Sequence, residues 1–512
     1  MSTAKRVLIN TGFLYGKVGI TSICQILATR FVLQAMGVND FGIYNLIAST
    51  VVMLSFLNES MTAATQRFMS FAEGEGNVTR IKSIFNTSWL IHLGLSLLVA
   101  LLFLVLHPVF FGGHLQISGD RLESAKAVYY FMVASTSLTM MTVPYNAVLV
   151  AHENMLYYSI VGSVSGVLKL IISIILLNSS CDRLMLYGAM MLGVTMIEWT
   201  ISRVYCHIKY SECNVSLSKY VDKSLIKEMF SFAGWQLVYS ASSILSIQGM
   251  SLILNAFFGA IMNAAQGIAR QVCGYLMTFS GTMMHALNPV IVKKAGSNDH
   301  QSLVHVTISG SKLSFILVVI VALPILFELP YLLNIWLTEV PDYALLFCIF
   351  EVIQQIVASF TVTLVTMISG VGDIKAFQLF SAITYILRLP LIYVAFLLGA
   401  DPLYAYYIAT AAVIALCVGR VYYANKKCDL PVTKYLDQVI KPCLLLCLIV
   451  VATLLPVIIF IPSSFLRFLF TCLVAIAEVC LLAYLLVFDK EEKQLVRNAV
   501  SFVKSKTHRH ER

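Results

Sequence analysis

The chain has 512 residues, of which 59% are hydrophobic and 12% are charged, and its formal net charge at pH 7 is +9. A soluble protein of this length needs far more polar surface to cover its core, so the composition excludes that class. The apolar runs are ~20 residues or longer and lack period-2 alternation, which excludes a membrane β-barrel and predicts an all-α polytopic membrane protein.

Fourteen apolar segments are each long enough to cross a bilayer as a helix. In chain order they are residues 8–36, 41–72, 81–106, 123–150, 157–178, 185–207, 225–258, 263–292, 304–327, 343–369, 376–398, 403–424, 438–460 and 466–487. Lys5 and Arg6 precede the first segment, and no small-residue cleavage site closes it, so we expect it to stay as an anchor.

The loops on one side of the predicted membrane carry nearly all the loop lysines and arginines, whereas the other side offers only Arg121 and Arg183. Positively charged loops stay in the cytoplasm, so both termini are predicted to be cytoplasmic. That arrangement requires an even number of spans, and fourteen satisfies it.

The first and seventh spans end in similar segments, residues 33–37 and 254–259, and each turns tightly into the next span. Because six spans separate them, both copies enter from the same face, which predicts two six-helix lobes in a parallel pseudo-repeat. The predicted units are an N-terminal lobe (1–207), a cytoplasmic linker (208–224), a C-terminal lobe (225–424), two additional helices (425–487) and a basic cytoplasmic tail (488–512).

Basic side chains lie inside these apolar segments, where a charge costs at least ~2.5–3.5 kcal/mol and usually faces water or the bundle interior. The candidates for binding an anionic substrate are Lys17, Arg30, Arg67, Lys169, Arg270 and Arg388. Arg67 lies near the cytoplasmic end of its span, so snorkelling to the interface is an alternative. Arg203, Lys312 and Arg420 also lie towards cytoplasmic ends, and we assign them to the positive-inside pattern.

Two spans carry polar stripes on one helical face, the eighth around Arg270 and the eleventh around Arg388. A polar stripe on an apolar helix faces protein or water, so these side chains are predicted to line a cavity, and hydrogen bonding between helices is the structural alternative. The predicted polar lining is Asn263, Gln266, Asn288, Ser381, Thr384 and Tyr385.

Three membrane carboxylates, Glu59, Glu198 and Glu351, are candidates for binding a coupling Na⁺ or proton. The alternative is that each neutralises a nearby cation. The sequence has no Gly-rich phosphate loop ending in Lys-Ser/Thr, which argues against ATP hydrolysis and for an ion gradient as the energy source. The twelve cysteines form no CxxC pair or His/Cys cluster with metal-ligand spacing, so no metal or other cofactor is predicted.

Several segments in a fixed order resemble one transporter family. They are residues 33–45, 55–58, 64–68, 144–147, 232–235, 263–269 and 286–289. In this order and spacing they are similar to the Wzx-type O-antigen flippases, the polysaccharide-transporter branch of the multidrug/oligosaccharidyl-lipid/polysaccharide exporter superfamily. Relatives commonly carry arginine where this chain has Gln266, so the resemblance implies that one lumen cation is missing here.

The resemblance implies two six-helix lobes around a cationic central cavity, followed by two further helices. It also implies that an undecaprenyl-diphosphate-linked oligosaccharide moves from the inner to the outer leaflet of the bacterial inner membrane, for lipopolysaccharide, capsule or another polysaccharide. Arg30, Arg67, Arg270 and Arg388 would be lumen cations. The expected partners are the lipid-linked oligosaccharide, membrane lipids and other polysaccharide-assembly proteins, and no nucleic acid.

Two alternatives stay open. A drug/cation antiporter of the same fold would need membrane carboxylates and aromatic residues at its centre, whereas the central charges here are mostly cationic. A polytopic glycan polymerase or ligase would expose catalytic residues on a large outer loop. The largest outer loops, about 107–122 and 328–342, are short and show no nucleophile–base arrangement, so we expect a transporter rather than an enzyme.

Overall fold

The computed structural model describes residues 3–52, 55–109, 111, 119–297, 299–337, 340–494 and 497. Within these residues the secondary structure is helical and contains no β-strand, as the all-α prediction requires. The first helices are α1 (Thr3–Val52), α2 (Ser55–Glu75), α3 (Val78–Val109), α4 (Leu122–Ala151), α5 (Met155–Leu177), α6 (Arg183–Lys209) and the short α7 (Leu217–Tyr220). The others are α8 (Lys223–Phe258), α9 (Ala260–Gly296), α10 (His300–Trp336), α11 (Ala344–Ser359), α12 (Val362–Val371), α13 (Lys375–Leu397), α14 (Leu403–Cys428), the short α15 (Val432–Tyr435), α16 (Lys441–Phe460) and α17 (Phe465–Leu482).

Eleven described helices are long and apolar enough to cross a membrane, or twelve when α11 and α12 count as one bent span. The chain is therefore a multi-pass membrane protein. The predicted second and eighth spans coincide largely with α2 and α9, which carry many of the polar residues and are not among the eleven. The count of fourteen is thus not confirmed, and the placement of the termini stays a prediction.

Side-chain caps fix where several helices begin, because the first backbone N–H groups of a helix have no partner within it. The Asn154 side chain accepts from an N–H of α5, and Asp182 accepts from two N–H groups of α6. Asp299 caps α10 and Ser464 caps α17 in the same way. These Asn, Asp and Ser residues stand between apolar runs in the sequence, so they mark turns between spans.

The described chain forms two compact units, Ile9–Leu237 and Val238–Arg512 with Met1–Leu8, and the boundary lies within α8. In the N-terminal unit, α4 packs against α2, α3 and α6. In the C-terminal unit, α9 packs against α10, α11 and α12, while α13 packs against α14. Each unit has a hydrophobic core of its own, around Tyr129 in the first and Phe347 in the second. The predicted lobe and linker boundaries stay predictions.

The two units share an unusual turn. Gly37, inside α1, has φ 74° and ψ 172°, and Gly259, between α8 and α9, has φ 78° and ψ −169°. This backbone region is essentially restricted to glycine. The two glycines end the similar segments at 33–37 and 254–259, so the sequence similarity between these segments corresponds to the same local backbone geometry.

A buried ion pair attaches α17 to α10. Arg467 donates from Nε and Nη2 to the two carboxylate oxygens of Glu328, at 3.1 and 2.9 Å, and Thr471 donates to the same carboxylate at 2.9 Å. Arg467 also donates to the Ile461 carbonyl oxygen. A buried pair with this bidentate geometry and satisfied hydrogen bonds is tolerated inside a membrane protein, and it specifies how α17 packs.

Lys312 of α10 is 2% exposed, and its Nζ lies 2.9 Å from Glu492 and 3.7 Å from Asp489. The assignment of Lys312 to the positive-inside pattern is therefore incomplete. This lysine is a buried partner for two carboxylates of the segment that follows α17. Periodicity and loop-charge counts miss such a pair, because they register a charge and not its distant partner.

The segment after α6 is held to the N-terminal unit at the end of α4. His152 Nε2 lies 2.5 Å from Glu212 and Nδ1 lies 3.3 Å from Glu73, while the imidazole ring stacks on Tyr210. Burial lowers the pKa of His152, but hydrogen bonds to Glu212 and Glu73 outweigh it and raise the pKa to about 9. His152 is therefore charged at neutral pH and joins the linker to α2.

Candidate functional site

Among the predicted substrate cations, Lys17 is held between α1 and α5. Its ammonium lies 4.1 Å from the centre of the Tyr158 ring, a cation–π contact. Gly162 of α5 leaves space for the lysine, because a Cβ there would overlap its Cε. Lys17 therefore has a specific position within the N-terminal unit, set by an aromatic ring on one side and a glycine on the other.

Arg67 lies among aromatic side chains. Its guanidinium lies over three aromatic rings, at 4.6 Å from Phe68, 4.8 Å from Phe71 and 5.6 Å from Phe232. Three ring faces around one guanidinium stabilise it where it stands. The geometry favours a packing role for Arg67, and its role in substrate binding stays a prediction.

The remaining N-terminal candidates are more exposed. Arg30, Lys169 and Glu59 have exposed side chains. Glu198 of α6 is partly buried against α5, where Ser165 donates to its carboxylate at 3.4 Å. The roles predicted for these four residues stay predictions.

The C-terminal unit, by contrast, brings predicted residues from different helices together. Arg270 of α9 lies 3.7 Å from Glu351 of α11. The Arg270 side chain is 38% exposed and that of Glu351 is 9% exposed, so the arginine is accessible while its carboxylate partner is buried. Both residues lie in predicted membrane segments, but no sequence pattern pairs them, because more than eighty residues separate them in the chain.

Arg388 of α13 is close to this pair. Its Nη2 donates to the Ser246 carbonyl oxygen of α8 at 2.9 Å, and its Nε has no hydrogen-bond partner among the described residues. Both Arg270 and Glu351 exert electrostatic effects on Arg388. The Ser246 hydroxyl in turn donates to the Tyr385 carbonyl oxygen at 2.7 Å, which connects α8 to α13 at this level.

Arg420 of α14 belongs to the same region, although sequence analysis assigned it to the positive-inside pattern. Its charge acts on Tyr385, as does that of Arg388, and its Nη1 donates to Thr361 Oγ1 at 3.1 Å. We define Arg270, Arg388, Arg420 and Glu351 as the arginine cluster, in which Arg420 stands apart from the Arg270–Glu351 pair because it contacts Thr361, ten residues after Glu351 in the chain. Its three cations outnumber its one carboxylate, so the cluster is electropositive.

The predicted polar lining divides between helix contacts and the region of the cluster. Thr366 of α12 donates to Asn288 of α9 at 2.6 Å, which is the helix–helix alternative. Ser381 and Thr384 donate back to carbonyls of their own helix, so their protons are not available to a ligand. The Gln266 side chain is buried, and its Oε1 has no hydrogen-bond partner in the described part of the chain.

Tyr385 is the member of that lining that lies at the cluster, and its ring packs against Tyr239 with the centroids 5.8 Å apart. The side chain of Asn263 lies outside the described residues. Among the described residues, no group of three His, Cys, Asp or Glu side chains has the geometry to hold a metal ion.

Comparisons with known proteins identify the fold. No family model matches the sequence, and no curated protein sequence matches it either. Solved structures do match. An outward-facing multidrug resistance MATE family transporter of the MOP superfamily superposes with a TM-score of 0.72 at 10% identity, covering 84% of this chain and 97% of that chain. The chain has the fold of the MATE transporters.

Two further structures agree with this fold. A crystal structure of a MATE mutant matches with a TM-score of 0.72 at 12% identity, covering 84% of this chain and 97% of that chain. A MOP superfamily transporter from Pyrococcus furiosus, described as having a binding pocket of reverse polarity that suggests a different function, matches at 0.65 and 11% identity, covering 85% and 97%. At these identities the likeness to MATE transporters concerns the fold alone.

Proposed function

We propose that this protein translocates an undecaprenyl-diphosphate-linked oligosaccharide from the inner to the outer leaflet of the bacterial inner membrane by alternating access. The arginine cluster of the C-terminal unit carries the proposal. A diphosphate bears about two negative charges, and arginine binds phosphate oxygens through a planar fork. Arg270, which is accessible, would contact the diphosphate first, while Arg388 and Arg420 add positive potential behind it.

The Arg270–Glu351 pair suggests how binding is coupled to an ion gradient. A diphosphate that binds Arg270 competes with Glu351 for the same guanidinium. The released carboxylate then gains affinity for a proton or Na⁺, because its cationic partner is engaged elsewhere. Occupancy by the lipid and by the ion would therefore be linked. Glu59 and Glu198 stay candidates for the coupling ion in the N-terminal unit.

Other parts of the proposal follow from the resemblance of the sequence segments to Wzx-type flippases. The glycan would serve lipopolysaccharide, capsule or another surface polysaccharide, and membrane lipids and other assembly proteins are candidate partners. Lys17, Arg30, Arg67 and Lys169 are proposed as additional contacts for the anionic substrate. The protein acts as a transporter in this account and not as an enzyme.

Multidrug export coupled to a cation is the second candidate function. The similar structures include a multidrug resistance transporter, so the fold supports this function equally. Glu351 and the Tyr239–Tyr385 pair are the observation in its favour, because a carboxylate and aromatic rings attract organic cations. The arginine cluster opposes it, since each of its three arginines would repel a cationic drug.

Reconstitution into proteoliposomes separates the two functions. Vesicles carrying undecaprenyl-diphosphate-linked oligosaccharide are treated with an impermeant reagent that modifies only outward-facing sugars, and parallel vesicles are loaded with ethidium. We expect the oligosaccharide that is initially protected from the reagent to become accessible faster than in protein-free vesicles. We expect no transport of ethidium. Ethidium movement without any glycan exchange would establish the multidrug function instead.

A further inference from the structure

The break between α11 and α12 leaves backbone groups that need partners inside the C-terminal unit. α11 ends at Ser359, α12 begins at Val362, and their axes differ by 44°. The Leu364 N–H donates to the Thr361 carbonyl oxygen, so the Phe360 carbonyl does not receive the usual bond from four residues ahead. Within a membrane, such a group must be satisfied by another part of the protein.

Tyr435 supplies the missing partner. This tyrosine is fully buried, and its hydroxyl donates to the Phe360 carbonyl oxygen and lies 2.9 Å from Ser311 Oγ of α10. Ser311 is itself in contact with the hydroxyl of Thr363 in the first turn of α12. One phenol hydroxyl thus joins the broken helix to a buried set of hydroxyl groups on both sides of the break.

Helix α14 contacts the break independently. Arg420 donates to Thr361 Oγ1 at 3.1 Å, and Cys417 Sγ donates to the Val357 carbonyl oxygen at 3.6 Å. Cys417 and Arg420 are three residues apart and so share a helical face. The break is therefore held by α14 and by Tyr435, and one of the α14 residues belongs to the arginine cluster.

Tyr435 comes from the segment that leads into the C-terminal helices. It ends α15, and a π-helical turn, Leu436–Ile440, connects it to α16. Glu351 lies on α11, nine residues before Phe360 and therefore ~13 Å away along a rigid helix. A change of ~5° in the bend would move Glu351 by ~1 Å. Because Arg270 and Glu351 are 3.7 Å apart, a shift of this size in Glu351 would disturb their contact.

We propose that Tyr435 is a positioning residue: its hydroxyl fixes the bend between α11 and α12 and thereby holds Glu351 at Arg270. The C-terminal segment would then set the geometry of the arginine cluster from within the core. The transport part of this inference rests on the proposed function. The contact of Tyr435 with the break does not.

The first test measures hydrogen–deuterium exchange of the purified full-length protein without substrate. Tyr435→Phe removes one hydroxyl and keeps the ring. We expect about fivefold to tenfold faster exchange in peptides covering residues 356–366, because one buried hydrogen bond is lost. Tyr422→Phe is the matched control, since Tyr422 is 55% exposed and its hydroxyl bonds to none of the described residues. Unchanged exchange in Tyr435→Phe would overturn the inference.

The second test is a double-mutant cycle on translocation in proteoliposomes, with Tyr435→Phe, Glu351→Gln and the double variant. If Tyr435 acts through Glu351, Tyr435→Phe should lower the translocation rate about fivefold in the otherwise native protein. In the Glu351→Gln background, the same substitution should cause no further loss of rate. A purely structural role would give losses that multiply, and that result would reject the positioning role.

Two further outcomes are also decisive. If Tyr435→Phe does not fold, Ser311→Ala is the substitute variant, because it removes the neighbouring hydroxyl. We expect it to raise hydrogen–deuterium exchange in the same peptides. Unchanged exchange in Ser311→Ala would contradict the inference. If the native protein moves no lipid-linked oligosaccharide, the proposed function fails, while the exchange measurement still decides whether Tyr435 holds the bend.

Discussion

Gly162 has no side chain, which leaves space for the Lys17 ammonium beside the Tyr158 ring. We expect Gly162→Ala to displace the Lys17 ammonium from the Tyr158 ring at small cost in thermal stability, because the clash involves the flexible end of the lysine. If Lys17 contacts the substrate from this position, translocation should fall about fivefold, the scale of one cation–π contact. Translocation and thermal unfolding measured on the same preparation separate the two effects.

Gly193→Ala is the control for that substitution, because Gly193 lies within α6 and a Cβ there meets open space. We expect it to leave both translocation and stability near those of the native protein. If Gly162→Ala were as active as Gly193→Ala, the location of Lys17 beside Gly162 would not matter for transport.

His152 gives a prediction about pH. Its pKa of about 9 lies above the usual value near 6.5, so the folded state binds the proton more tightly than the unfolded state. The resulting stabilisation, up to about 3 kcal/mol, is fully present below pH 6.5 and is lost as the pH rises to about 9. Thermal unfolding of the native protein and of His152→Gln should therefore converge between these values. Parallel curves from pH 6 to pH 10 would show that His152 does not titrate in this way.

Individual charges were the features that sequence patterns predicted least well. Arg420 and Lys312 lie near the ends of apolar runs, where the positive-inside rule explains a cation without any partner. Their partners, Thr361 and Glu492, lie far away in the chain, and only the tertiary structure brings them together. Opposite charges at the ends of two apolar runs, as in Glu328 and Arg467, are the sequence signal that could predict such a pair.

At the scale of elements, the two glycine turns can be compared directly. We expect Gly259→Ala to destabilise the protein by about 1–3 kcal/mol, because alanine is strained at φ 78° and ψ −169°. Gly37→Ala should cost a similar amount, since its backbone geometry is nearly the same. Neither substitution introduces a clash, so thermal unfolding reports backbone strain alone.

Gly267→Ala in α9 is the matched control, because that glycine lies within the helix and also has open space around its Cα. We expect it to be neutral or slightly stabilising, as alanine favours helix. A melting temperature for Gly259→Ala equal to that of Gly267→Ala would contradict the account of this turn.

Helices were predictable here because long apolar runs allow no other spanning structure, and the paired turns were predictable because their segments resemble each other. The bend between α11 and α12 was not. Residues 359–361 are Ser, Phe and Thr, so neither proline nor glycine marks the break. It depends on Tyr435 and Arg420, which meet it only in the folded chain. The number of membrane spans was also hard to predict, because α2 and α9 carry many polar residues.

At the scale of the whole molecule, the similar MATE structures cover about five-sixths of this chain. The remainder is comparable in length to the predicted C-terminal part, residues 425–512. Within the C-terminal unit, that part is joined to the core through Tyr435, Arg467 and the partners of Lys312. Tyr435, Arg467 and Lys312 are themselves buried, so the C-terminal helices are an integral part of the unit.

The arginine cluster is proposed to bind an anionic lipid during transport. The most direct measurement is the translocation rate of undecaprenyl-diphosphate-linked oligosaccharide in proteoliposomes containing Arg270→Ala, Arg388→Ala or the corresponding lysine variants. Loss of a charged hydrogen bond of about 1.5–3 kcal/mol predicts rates about tenfold to a hundredfold lower for alanine, with lysine retaining part of the activity. Lys441→Ala, at an exposed lysine, is the control and should match the native rate. Native rates in both alanine variants would contradict the account.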